Sequence, residues 1–170
     1  MTRRLFAAAM LAAFAPATSW AGDIPSKPIL TYATAETMIS ACFAAQVSAG
    51  HANVNVVVVE DGGRLIAAAR QDGACKACTE LAQNKAIRSA LYAAPTRAMA
   101  NMSFGAKRDG VNASLPGAAF VPGLVAFAGG LPVKTAGGDV IGAIGVSGAS
   151  EDQDESCTKA GLDAIAASLK

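Results

Sequence analysis

Four cysteines, one histidine and a short run of carboxylates hold most of the chemistry available to this chain. Cys75-Lys-Ala-Cys78 has the spacing of a redox pair or of half a metal site. A zinc site would need a second such pair, and covalent haem attachment would need His where Thr79 stands; the sequence has neither. Cys42 and Cys157 complete the set, and four cysteines allow three pairings. In an oxidising compartment structural disulfides are the first expectation, with a redox-active Cys75–Cys78 pair and free thiols as alternatives.

The single histidine, His51, falls in a polar loop between a helix end and a strand, where core packing does not require an imidazole. It reads either as a surface residue at a helix C-terminus or as a ligand to haem iron or a transition metal. Met99 and Met102 are soft donors that could join it, although methionines ordinarily fill cores. Arg70 and Lys85 are the cations nearest the hairpin and second helix described below. Either could pair with a carboxylate of the protein or of a ligand, such as a propionate. Glu151, Asp152, Asp154 and Glu155 open the last helix, where compensation of the helix dipole accounts for them. Asp152 and Glu155, one turn apart, could also hold an iron or calcium ion at the surface.

Two glycine-rich readings fail. Gly142-Ala-Ile-Gly145-Val-Ser-Gly148 has Ile144 where a dinucleotide fingerprint needs glycine, and no Gly-Lys-Ser follows. The overlapping Gly145-Val-Ser147-Gly-Ala149 lacks the last glycine of a nucleophile elbow. Glycines inside a strand mark instead the close approach of a neighbouring element or a ligand.

The elements that must position these residues follow from composition and periodicity. The chain has 170 residues, 52% apolar, with 14 Lys+Arg against 13 Asp+Glu, and suits one compact domain. That charge balance argues against a nucleic-acid partner, and 5% aromatic content argues against base-stacking platforms. Residues 1–21 read as a signal peptide: Arg3 and Arg4, an apolar run from Leu5 to Ala15, and a small-residue exit suited to cleavage after Ala21. The run is too short to span a bilayer core of about 30 Å. A periplasmic or secreted protein without membrane insertion is expected.

Residues 22–33, with Pro25 and Pro28, predict an extended arm ahead of a domain at 34–170. Thr34 then caps a helix whose inner face carries Met38, Ile39, Cys42, Phe43 and Val47, with Gly50 ending it. Val54–Glu60 is a β-branched run, Asp61-Gly62-Gly63 a turn, and Arg64–Arg70 its hairpin partner. A second helix is expected over 74–93, with Ala74, Cys78, Leu81, Ala82, Ile87, Ala90 and Leu91 inward. A short helical piece at 96–102 and a long, functional or mobile loop at 103–123 come next. Strands are predicted at Leu124–Ala128 and Val140–Val146, and a last helix from Ser150. Hairpins mixed with helices predict the α+β class, an antiparallel sheet with helices against it. If the first and last helices pack side by side, one disulfide joins Cys42 to Cys157 and the other joins Cys75 to Cys78. That requires Cα separations near about 5.5 Å.

Five stretches in register carry a resemblance. Asp61-Gly-Gly-Arg-Leu-Ile66, Ala69-Arg-Gln-Asp-Gly-Ala74 and Ala82-Gln-Asn-Lys-Ala86 come first. Gly129-Gly-Leu-Pro-Val133 and Gly142–Ala149 with Gln153-Asp-Glu155 follow. Together, over roughly residues 30–168, the chain resembles the GlcG/HbpS family of haem-binding proteins, and is similar to the C-terminal domain of PduO-type cobalamin adenosyltransferases. The resemblance implies a profilin-like domain with about five antiparallel strands and helices on both sides. It also implies homo-oligomers (dimers or larger, often octamers), noncovalent haem b, and signalling of haem or redox stress to a membrane sensor kinase. Iron at surface D/E-x-x-E motifs is implied too, which here means Asp152 and Glu155. The family has no uniform axial ligand, so His51 is a candidate on its chemistry alone. The expectation is an exported haem-binding protein without turnover of its own, its haem on an apolar surface between hairpin and long loop. His51 would ligate the iron, and Arg70 or Lys85 would hold a propionate. Its rivals are a small oxidoreductase using Cys75–Cys78, a peroxidase-like activity of bound haem, and a cofactor-free module docking on a membrane sensor or dehydrogenase.

Overall fold

Consecutive valines from 56 to 59 favour an extended backbone, and they form the inner strand β1 (Asn55–Glu60) of a computed structural model that describes residues 26–170. The expected export signal at 1–21 and the first part of the 22–33 arm lie outside the described residues. Gly63, at φ 82°, lets the chain turn back into β2 (Leu65–Arg70). β3 (Gly130–Lys134) and β4 (Val140–Ser147) complete an antiparallel sheet in the order β2-β1-β4-β3. A register shift interrupts the β1–β2 pairing between Val58 and Val59.

Helices cover both faces of this sheet, so β1 is buried on both. Val56 and Val58 pack with α1 (Tyr32–Ser48) and α4 (Glu151–Ile165); Val57 and Val59 pack with α2 (Cys78–Tyr92). The contact with α2 is close. A Cβ added at Gly145 would stand 2.5 Å from the Ala86 nitrogen and 3.0 Å from the Ala86 Cβ, so the strand glycine makes room for the helix. On the other face, Cys42 of α1 and Cys157 of α4 are joined in a disulfide with Cα atoms 4.5 Å apart. α3 (Thr96–Phe104) and a 3₁₀ turn (Pro116–Phe120) lead through the remaining loop to β3.

The α+β class and the single domain hold, with corrections in detail. The sheet has four strands among the described residues, one fewer than expected. No strand forms at 124–128; it begins at Gly130, and the Gly129-Gly130 pair starts the strand rather than ending one. The reason is steric: a Cβ at Gly130 would lie 2.6 Å from the Lys85 carbonyl oxygen and 2.7 Å from Thr96 Cγ2. α1 begins at Tyr32, earlier than expected, because Thr31 Oγ1 accepts the Thr34 N–H at 3.2 Å and caps it. Val47 is 69% exposed while Gln46 is buried. α2 starts at Cys78 and turns Ala82, Lys85, Ala86, Ser89 and Ala90 inward; Leu91 faces solvent. Only small side chains fit so near the sheet, and Lys85 is the exception explained below.

The two disulfides should differ in their effect on folding. Cys42–Cys157 spans 115 residues of sequence and Cys75–Cys78 only three. Replacing both Cys42 and Cys157 by Ser should cost about 4–5 kcal/mol by the chain-entropy relation, against roughly 2 for Cys75 and Cys78. Urea unfolding of the two double variants checks the difference.

Candidate functional site

His51 follows the α1 C-terminus, where its N–H donates to the Gln46 carbonyl oxygen at 3.0 Å. Its half-buried ring sets Nδ1 3.1 Å from Gln46 Oε1. The buried Gln46 amide has a fixed sense, because its Nε2 donates to the Ala52 carbonyl oxygen at 3.3 Å. Oε1 must therefore accept, and His51 Nδ1 must carry the proton. The neutral imidazole then offers an Nε2 lone pair, as an axial ligand to iron requires. Arg70 lies opposite Asn55 at the end of the sheet where β1 begins and β2 finishes, four residues of chain beyond His51. It is exposed and makes no ion pair among the described residues.

Lys85 is elsewhere. Its ammonium has no exposed surface; Nζ stands 2.8 Å from Asp154 Oδ2 and 2.8 Å from the Val146 carbonyl oxygen. It also lies over the Phe127 ring at 4.7 Å from the centroid. Asp154 Oδ1 accepts the Ala149 N–H at 3.0 Å. Burial pushes the Lys85 pKa down and the Asp154 pKa up, and their mutual attraction opposes both shifts. The expected propionate contact through Lys85 is therefore corrected: the side chain is a buried ion-pair partner and has no face toward a ligand.

The methionines divide. Met99 is buried on α3 and Met102 is exposed on it; no hydrogen bond or ion pair among the described residues joins either to His51. Asp152 and Glu155 both face Arg97, with Nη2 2.5 Å from Asp152 Oδ1 and Nε 2.7 Å from Glu155 Oε2. These hydrogen bonds, with Glu155 foremost, raise the guanidinium pKa further. A cation at this pair would have to displace Arg97. Among the described residues no three His, Cys, Asp or Glu side chains cluster to hold a metal ion. Arg108 pairs with Glu151, whose Oε2 also accepts the Ala128 N–H at 3.1 Å. Sequence periodicity gave no sign of Arg97, Arg108 or Gln46, since their partners are set by packing. Lys85 had a signal, a lone charge inside the Ala82-Ala86-Ala90 stripe.

Grooves of 230, 190 and 220 Å³ mark the surface, each below the roughly 300 Å³ of a ligand pocket, and none is lined by His51. None of these three grooves would enclose a group as large as a tetrapyrrole. Exposed apolar side chains concentrate on α3 and the loop after it: Met102, Phe104, Val111, Leu115, Val121 and Phe120, the last 87% exposed.

Comparison with known proteins bears on this geometry. A family model described as "Haem degrading protein HbpS-like" matches residues 30–163. Klebsiella pneumoniae protein ORFY aligns with a TM-score of 0.75 and 26% identity over 85% of this chain and 97% of its own. A double mutant of Streptomyces reticuli HbpS aligns with a TM-score of 0.72 and 31% identity, over 94% and 98%. A PduOC–haem complex aligns at 0.70 with 22% identity, over 81% and 96%, a likeness of fold alone. No curated protein matches the chain.

The buried pair yields a test. Lys85→Met strands the Asp154 carboxylate and should cost about 3–5 kcal/mol in denaturant unfolding. Adding Asp154→Leu to it should restore most of that loss, giving a strongly non-additive double-mutant cycle.

Proposed function

The chain belongs to the HbpS-like family, and from that premise we propose an exported haem-binding protein that senses or handles haem under redox stress. The observation that carries the reading is the Gln46–His51 hydrogen bond, which in the neutral imidazole takes the Nδ1 proton and leaves Nε2 as the ligating nitrogen. In this reading His51 is the axial ligand of a noncovalent haem b, and Arg70 pairs with a propionate. The bound group supplies one-electron redox chemistry; the protein holds it and tunes it through the Gln46 contact. Met102 and its apolar neighbours on α3 and the following loop supply surface for a porphyrin face or for a second copy of the chain in a homo-oligomer. The N-terminal signal supports delivery outside the cytoplasm, where a membrane sensor kinase is the partner.

A hemin titration of residues 22–170, followed by the Soret band, tests this. The wild-type protein should give a saturable shift at one haem per chain or per dimer, and His51→Ala should abolish it. Gln46→Ala should weaken binding about 10–100-fold, the usual effect of freeing a metal-ligating imidazole. A shift that survives His51→Ala moves the ligand elsewhere, and the absence of saturable binding sinks the haem reading. Decay of the band under a reductant would indicate turnover in place of binding.

A further inference from the structure

Cys75–Cys78 differs from the other disulfide in its access to solvent. Cys42 and Cys157 are wholly buried between α1 and α4, beyond reach of a thiol. Cys75 is exposed, and Cys78 is half-buried as the first residue of α2. Their Cα atoms are 5.3 Å apart. The backbone around them is held independently of the sulfur–sulfur bond. Buried Asn55 donates through Nδ2 to the Cys75 carbonyl oxygen at 3.0 Å and accepts from Thr79 Oγ1 at 2.7 Å. The same Nδ2 reaches the Ser147 carbonyl oxygen at 3.2 Å, which fixes this anchor to β4. Opening the disulfide therefore leaves the loop and the start of α2 in place.

We propose that Cys75–Cys78 is a thiol–disulfide exchange site, reduced by an external dithiol and reversibly re-formed, while Cys42–Cys157 remains closed. A thiolate of the dithiol attacks the exposed Cys75 Sγ; the Cys75–Cys78 bond breaks, and Cys78 leaves as a thiolate at the α2 N-terminus. Backbone N–H groups there favour the anion, and Glu80 in the first turn opposes it. The second thiol of the reductant then attacks the mixed disulfide at its own sulfur and releases Cys75. The reductant becomes a disulfide, and the protein takes up two electrons and two protons. A dithiol is specified because Cys78, three residues from Cys75 in the chain, recaptures a monothiol adduct faster than a second monothiol can arrive. The inference uses none of the residues assigned to haem and stands or falls separately from it.

The test equilibrates the oxidised full chain with graded ratios of reduced to oxidised dithiothreitol, then quenches with iodoacetamide and maps the alkylated peptides by mass. Cys75 and Cys78 should be labelled together, with labelling of Cys42 and Cys157 at least about tenfold lower at the same ratio. Circular dichroism should not change, and excess oxidised reagent should reverse the labelling. With oxidised glutathione, Cys78→Ser should form a stable mixed disulfide at the exposed Cys75 and release one reduced glutathione, and failure to form it would count against the proposal. Joint opening of both disulfides, loss of the fold on reduction of Cys75–Cys78, or equal rates with glutathione and dithiothreitol in the wild-type protein would overturn the proposal.

Discussion

An ammonium and a carboxylate removed from water must find each other, and in this fold they do so across the end of the sheet. Lys85 rises from the α2 layer, bonds the Val146 carbonyl oxygen of β4 and meets Asp154 in the first turn of α4, so one side chain ties three layers together. Gly129, at φ 116°, passes so near that a Cβ there would come within 2.7 Å of Lys85 Nζ and 2.8 Å of Asp154 Cβ. The entry to β3 is thereby fixed as well. With the start of α4 set, Arg97 and Arg108 can reach its carboxylates, and they bring α3 and the long loop down upon it. A buried ion pair adds little net stability relative to apolar side chains of similar volume. What it supplies here is alignment, since any slip of α2 against α4 would separate the charges.

Part of this architecture is encoded locally and part only by contacts between distant segments. The valine run, its hairpin partner and the capping Ser150 are local signals, and the structure has them where the residues indicate. The pairing of Cys42 with Cys157 followed once the first and last helices were assumed to pack together. What escaped was decided by closeness between distant segments. Periodicity leaves Lys85 open between a carboxylate of the protein and one of a ligand, and only packing decides for Asp154. Periodicity also preferred Val47 to Gln46 as an inward residue, although Gln46 is needed to satisfy Ala52 and His51. The need for glycine at 130 is equally non-local, because the Lys85 backbone and the Thr96 side chain press against it from other elements.

Within the candidate site, His51 was legible from its type and placement, and its tautomer was not. The proton's position depends on an amide whose orientation is set by a third group, a relation that no spacing encodes. The cysteines present the opposite case, since their spacing was plain and only burial distinguishes a staple from an accessible pair. Both the imidazole and the Cys75–Cys78 disulfide attach to the end of the sheet where β1 begins, the former by chain connection and the latter through Asn55. The proposed ligand and the proposed exchange site therefore share one support.

A sheet of four strands has two outer edges, β2 and β3, and each edge carries an obstacle. Pro132 sits within β3 and removes one backbone donor there. The register shift opposite β2 between Val58 and Val59 twists the other margin out of regular pairing. Backbone-to-backbone growth from molecule to molecule is discouraged on both sides. Any association of copies through the sheet edges would therefore be disfavoured, and an interface between copies would have to use the helix and loop surfaces, where shape and apolar area set its extent.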